Sequence, residues 1–476
     1  MNSKSFVVTG LAFGDEGKGS YTDFLVHENN IKILARYAGG NQSNRTVTLD
    51  NGQKINFNQL SSGMIHEDAE TYITENVLIN LDDLIREVND LSRLTGEESK
   101  MILRRIHINK NCIVVTPYHK LINHLSEIIA GSKRRGSVGL GVSEARYLND
   151  NYGICIRFGD LLYNKNKTLS YKQIYDFALK LFGEVSHKIL NRLPANVSEL
   201  VRKEASELLN EKTLRLVERR ETNIALALSQ TIYENDYDIL CCHDNVLFEG
   251  SLGFLLDKEY GLAPNTSLCD TTNEYPRKII DKNDDVTYYG IIKAYYQRHG
   301  RGVFPTESGF LNKSFTDLNA KEGYWNGKVR FGWFDLVLFG YSCRCSKVDE
   351  ILMSSLDMMS CLKEIKICDS YYYNGVIDDE FKETFEYEVS GDIIYITSIK
   401  KVNSSRVTYY LKNSKPHYII FKGWNTNIKD AQSFNDLPQK CIDYIRTIEA
   451  LSSKTISYVS VGPTHVSKIK VPKLNE

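Results

Sequence analysis

The segment Gly14-Asp15-Glu16-Gly17-Lys18-Gly19, entered from the apolar run Phe6-Val7-Val8, constrains this chain more than any other. A strand that enters a glycine-rich loop and opens a helix aims backbone N–H groups and the positive end of the helix dipole at bound phosphate, with Lys18 as a point charge. The spacing departs from the Walker pattern, because Ala12 stands at its first glycine and Gly19 separates Lys18 from Ser20. An ordinary GTPase fits poorly. A carboxylate that faces phosphate is repulsive unless it holds Mg²⁺ or accepts a proton from a substrate, which makes Asp15 the first candidate for chemistry. The plainer alternative is a tight turn carrying a solvated acid.

The rest of the composition narrows the partner. With 476 residues, 42% of them hydrophobic, the chain can bury a large core. Its 59 basic and 60 acidic residues give a formal net charge of −1, so nothing draws it generally to nucleic acid or to an anionic membrane, and a small-molecule partner is expected. The ten cysteines are scattered, and neither Cys241-Cys242 nor Cys343-Arg344-Cys345 has the spacing of a zinc or redox site. Buried free thiols in a reducing cytosol are the expected account of them. No apolar stretch suits a signal peptide or a membrane span, and a cytoplasmic location is expected.

Short β-rich runs alternate with amphipathic helices, which predicts an α/β fold: a largely parallel central sheet with helices on both faces. Strands are expected at Phe6 to Thr9, Ile31 to Ala35, Asp238 to Cys242, Val246 to Phe248 and Glu364 to Cys368. Asp82 followed by Leu84, Ile85, Val88 and Leu91 reads as a helix with one apolar face and an acid near its positive end. A second helical tract runs over about Val197 to Tyr233, its charges a solvated face. Asp392 to Ile399, Arg406 to Leu411 and Tyr418 to Phe421 alternate like small antiparallel additions. Nothing marks a domain boundary, so residues 1–476 read as one domain. Tyr295-Tyr296 and Tyr371-Tyr372-Tyr373 read as core or strand aromatics, and His66, His119, His243 and His299 share no metal-ligand spacing.

Eight segments, in order, resemble the adenylosuccinate synthetase family, GTP-dependent ligases that join aspartate to the purine of IMP. They are the Gly14 to Gly19 loop, Arg36 to Asn41, Ser62 to Ile65, Phe248 to Gly253, Gly302 to Glu307, Gly332 to Asp335, Leu362 to Glu364, and Ser460 to Pro463. The resemblance implies a P-loop-NTPase-like fold, Mg²⁺, GTP as co-substrate, and a homodimer. In such enzymes the purine 6-oxygen is phosphorylated and an amine then displaces phosphate. Asp15 matches the residue that takes the purine N1 proton and helps to hold Mg²⁺, and Lys18 with the loop amides would offset phosphoryl charge. The resemblance assigns Gly14, Glu16, Gly17, Lys18, Gly19, Ser20, Thr46 and Arg330 to GTP. Asp357 matches the carboxylate that reads guanine, Ser355 replaces a lysine there, and Ser460 with Gly462 would close the base pocket.

Departures cluster around the other substrates. Arg45 stands at the family's histidine and Asn44 at a glycine. Arginine can stabilise charge but cannot act as an acid near neutral pH. Asn44 joins Asp15 as a candidate Mg²⁺ ligand. Leu252 replaces a glutamine near the purine 6-position and Val138 a threonine on the 5′-phosphate. Gln42, Thr271, Thr272 and Lys328 complete the expected purine-nucleotide set. Asn149 to Tyr152 lacks the basic residue that family members lend to a neighbouring subunit, which weakens the dimer inference. The amino-acid loop is one residue shorter, Tyr324-Trp325-Asn326-Gly327-Lys328-Val329-Arg330. Arg330 and Lys328 retain charge for one carboxylate, and Tyr324 or Trp325 suits a flatter or less acidic partner. A loop that merely packs its aromatics is the alternative. The expectation is a GTP- and Mg²⁺-dependent ligase that joins aspartate or a relative to IMP or a relative, against a catalytically reduced nucleotide-binding protein or a ligase with a changed purine or amine substrate. The phage branch of the family, which works on a 2-aminopurine deoxynucleotide, carries a smaller residue at the loop aspartate, and Asp15 argues against it.

Overall fold

The computed structural model describes residues 4–164, 166–185, 187–229, 232–280, 285–316, 323–400 and 406–473. Among them the central sheet has ten strands, and the loop-bearing strand Lys4–Gly10 lies in its middle. That strand pairs in parallel with Val246–Glu249 on one side and Asp285–Lys293 on the other. Ile33–Arg36, Glu70–Ile73, Ile106–Asn109 and Ile232–Tyr233 extend one wing, and Glu350–Ser354 and Thr455–Ser460 the other. All of these pairs are parallel, and Lys468–Lys470 closes the far edge antiparallel. Phe6, Val7 and Val8 are wholly buried because helices cover both faces, so the strand reads as an unbroken apolar run.

The helix Leu81–Thr95 shows how local sequence sets an element. The Asn80 side chain accepts from the Asp83 N–H, Asp82 and Asp83 face the positive end, and Gly96 ends it at φ 79°. Leu84, Val88 and Leu91 form its buried stripe. A second sheet packs Phe334–Asp335, Glu364–Tyr373, Ile393–Ile399 and Phe385–Ser390 in that order, with Ser414–Lys422 on the other flank of Glu364–Tyr373. Its antiparallel pairs are the expected additions, and Tyr371 and Tyr373 are buried within it.

Two strand expectations are corrected. Asp236–Leu240 is a short helix: Asn235 caps it by accepting from the Tyr237 N–H, and Asp236 and Asp238 sit in its first turn, a helix-start signature. Arg406–Lys412 is also helical, and its buried Val407, Tyr410 and Leu411 follow a three-and-four spacing. The long tract after Val197 is two helices, Ala195–Leu208 and Glu211–Ala227, the second capped by Asn210. Among the described residues no helix is long and apolar enough to cross a membrane.

Candidate active site

Parallel strands present their carboxyl ends along one edge, and the loop leaves the sheet at its centre, where strand order changes direction. Gly14 and Gly17 take φ of 89° and 95°, and Asp15 itself is left-handed at φ 58°. The fold separates the two acids. Glu16 is buried inside the loop, where it accepts from the N–H groups of Ala12 at 3.1 Å and Gly14 at 2.8 Å and from the Lys18 ammonium at 2.5 Å. Gly10 is required beneath it, because a Cβ there would lie 2.5 Å from Glu16 Oε2. Glu16 therefore closes the cradle from within, and those two amides point at it. Lys18 is also held by the Leu252 carbonyl, which leaves one N–H of its ammonium for a ligand. Leu252 reaches this position in a left-handed conformation, φ 59°.

Asp15 turns outward. Its Oδ2 lies 3.0 Å from His299 Nε2 and accepts from Gln297 Nε2 at 3.3 Å. Burial, the largest single influence, pushes its carboxyl pKa up, but His299, Lys293 and Lys18 together outweigh it and hold the group below the usual carboxylate value. Asp15 is thus ionised at neutral pH. Among the described residues no donor reaches its Oδ1. One open carboxylate oxygen on the loop that carries Lys18 fits Mg²⁺, which binds through one or two carboxylates with substrate phosphate rather than in a protein cage. The described residues contain no cluster of three metal-ligating side chains.

Arg45 departs from expectation. It is buried, its Nη1 donates to Ser251 Oγ at 3.2 Å and its Nη2 to the carbonyls of Leu60, at 3.2 Å, and Asn58. Its Nε lies 3.5 Å from Glu249 Oε1, and Arg36 Nη1 lies at the same distance from Oε2. Glu249 further accepts from Ser61 Oγ and from both the N–H and Oγ of Ser62. The guanidinium belongs to a buried two-arginine cluster beneath the site, where its fork matches three fixed acceptors that an imidazole could not all reach. Asn44 is exposed, the Thr46 hydroxyl donates to Asn56 Oδ1 at 2.7 Å within the same hairpin, and Gln42 faces Cys269.

The far end of the cleft joins three segments. Ser354 Oγ donates to the Glu16 carbonyl at 2.6 Å, and Ser355 at φ 59° turns the chain into the short helix that carries Asp357. Ser20 Oγ donates to the Pro463 carbonyl at 2.7 Å, and Ser460 Oγ to that of Gly462 at 2.6 Å, which ties the first helix to the C-terminal segment. Lys468, which carried no sequence signal, binds Ser20 Oγ and the Thr464 carbonyl, both at 2.7 Å. Burial pulls its pKa down to about 7 against the pull of Asp23 and Asp357. Asp357 is raised by burial, with Lys429 and Lys468 opposing.

The remaining expected residues are distributed as follows. Thr271 directs its hydroxyl to the Gly253 carbonyl and Thr272 to Asp270, so both hydroxyls have protein partners, while Val138 is exposed. Trp325 stacks on His124 at 4.3 Å, and His124 is bound by Glu204 at 2.6 Å, so this aromatic docks the loop onto the helical layer. Tyr324 lies beneath the Arg134 guanidinium, and the Asn326 carbonyl abuts Gly300 so closely that a Cβ there would lie 2.2 Å away. Arg330 pairs with Glu307 at 2.8 Å and donates to the Gly302 carbonyl, whereas Lys328 is exposed. Sequence reading missed Lys293, Gln297 and His299 as neighbours of Asp15. Their one signal is position, since Lys293 ends a central parallel strand and Gln297 and His299 follow it.

A central parallel sheet with a glycine-rich loop at its carboxyl edge, an outward-turned aspartate and a buried lysine define a nucleotide-handling α/β enzyme. The family model for adenylosuccinate synthetase matches residues 7–469. The chain belongs to the adenylosuccinate synthetase family, ligases that form C–N bonds. It is 27% identical to the adenylosuccinate synthetase of Halothermothrix orenii, covering 98% of each chain, and 29% identical to that of Rhodococcus erythropolis, covering 96% of each. The fully ligated adenylosuccinate synthetase of Plasmodium falciparum superposes with a TM-score of 0.78 at 20% identity, covering 99% of this chain and 100% of that one. The cyanophage S-2L succinoaminodeoxyadenylate synthetase, solved with dGMP and dATP, gives 0.55 at 13% identity, covering 99% and 97%.

Proposed function

We propose that the protein is a GTP- and Mg²⁺-dependent ligase that phosphorylates the 6-oxygen of a purine nucleotide, IMP or a relative, and then joins an amino acid to that carbon. The reading is carried by one observation, the Asp15 carboxylate with Oδ2 held by His299 and Gln297 and Oδ1 open, on the same loop as Lys18. Asp15 accepts the N1 proton, which places charge on the 6-oxygen and makes it nucleophilic toward the terminal phosphorus. Mg²⁺, held by Asp15 and the phosphates, would supply further charge neutralisation there. Lys18 uses its remaining N–H on the transferring group, and amine attack then expels phosphate. Asp357 sets the preference for guanine by accepting from its N1–H and amino groups.

The amine is aspartate or a relative, and the loop favours one with a single carboxylate. Arg330 is already paired with Glu307, Trp325 is packed on His124, and Lys328 is the exposed charge of the loop. A homodimer in the cytoplasm is the accompanying expectation. A second reading, a nucleotide-binding protein with reduced turnover, draws on Arg45, which is committed to Glu249. Both are tested by incubating the protein with Mg²⁺, GTP or ATP, a panel of purine monophosphates and all amino acids, with products read by mass spectrometry. A nucleoside diphosphate with a mass-shifted purine supports the ligase, and Asp15→Asn then abolishes product while nucleotide still binds. Tight binding without turnover across the panel refutes it in favour of the second reading.

A further inference from the structure

We propose that His299, together with Gln297, is the positioning residue that fixes Asp15 for proton acceptance. The inference rests on the reading of Asp15 given above. A left-handed aspartate on a loop has no ladder or helix turn to set its side chain, so its direction must come from tertiary partners. Both donors end on the same oxygen, His299 Nε2 at 3.0 Å and Gln297 Nε2 at 3.3 Å from Oδ2. That geometry restrains rotation of the carboxylate and leaves Oδ1 for the reacting partner and Mg²⁺ to share.

The strand Tyr296–His299 is built to hold this pair. Residues two apart in a strand share a face, so Gln297 and His299 point to Asp15 while Arg298 points the other way. Arg298 is buried, its guanidinium donating to the carbonyls of Asn265 at 2.9 Å, Arg301 at 3.1 Å and Val303 at 2.7 Å and lying 4.2 Å from the Phe13 ring centroid. Phe13 is two residues before Asp15, so one anchor fixes both the strand and the loop. Lys293 Nζ donates to Gln297 Oε1 at 2.5 Å, which leaves the amide nitrogen facing Asp15. The same strand pairs His299 with Val329 and Arg298 with Arg330, joining the residue that positions the proton acceptor to the amine loop through one ladder.

The test compares His299→Val, which suits a strand and removes the donor, with His299→Gln, whose amide can restore it. Misplacement of a reacting group by about 1 Å costs on the order of a hundredfold. His299→Val is therefore expected to lower kcat by roughly that factor with the KM for GTP unchanged, and His299→Gln to recover most of it. Crystal structures of the wild type and His299→Val, which need no turnover, are expected to show Asp15 Oδ2 displaced from Gln297 in the variant. An Asp15 that keeps its place in the variant overturns the proposal, as does a kcat equal to wild type, or a His299→Gln enzyme as impaired as His299→Val. Wild-type protein inactive across the whole substrate panel defeats the ligase reading instead, and the crystallographic comparison still decides the role of His299.

Discussion

Arg45→Met separates a structural arginine from a catalytic one. The substitution keeps most of the buried volume and removes the guanidinium that donates to Ser251, Asn58 and Leu60 and neutralises Glu249. Deleting one partner of a buried ion pair costs about 3–5 kcal/mol, because the other charge is left in a medium that cannot solvate it. Two features move the estimate to the lower end. Glu249 keeps Arg36, Ser61 and Ser62, and removing Arg45 relieves a repulsion that, after burial, helps to pull Arg36 down to about 9. A loss of about 3 kcal/mol follows, roughly a hundredfold in the folded-to-unfolded ratio. Urea unfolding followed by circular dichroism measures it, with Glu249→Gln and the double variant completing a cycle. In the cycle, coupling of about 1–3 kcal/mol is expected between the two positions. The reasoning is refuted if Arg45→Met unfolds at the wild-type midpoint while turnover falls by about 10²–10³, the pattern of a lost transition-state contact.

Glu221 is buried against the Tyr171 hydroxyl, and burial raises its pKa from 4.5 to about 8. The folded state then holds a proton that the unfolded state has released, so Glu221 lowers stability progressively as pH rises from 4.5 to 8, by up to about 1.4 kcal/mol per pH unit. Urea midpoints at pH 5 and pH 8 should differ less in Glu221→Gln than in the wild type, and an identical pH dependence in both would contradict the assignment. Asp357→Asn removes a charged acceptor from the proposed guanine site, and hydrogen bonds to charged groups contribute about 1.5–3 kcal/mol, so the KM for GTP is expected to rise about 10- to 100-fold with little change for ATP. Initial-rate comparison of the two donors checks this, and an unchanged GTP-to-ATP ratio would remove Asp357 from base selection.

The sequence by itself determined what is local or periodic. The unbroken apolar run Phe6 to Val8 and the glycines after it fix a buried strand feeding a left-handed loop, and the Asn80 to Gly96 signals fix a helix, because both depend on neighbours within a few residues. Short segments were misread where two periodicities compete: Asp236 to Leu240 and Arg406 to Lys412 span only one or two turns, and each supports a strand reading until its cap or packing face is known. Tertiary structure alone decided which charges meet. Whether Asp15 or Glu16 faces the cleft, whether Arg45 points to phosphate or to Glu249, and whether His299 stands beside Asp15 all depend on partners more than 200 residues away, except for Glu16 with its own loop. A side chain's charge is written in the sequence, but its direction is set by which desolvated partner the fold brings within about 3 Å, where unpaired burial would cost several kcal/mol.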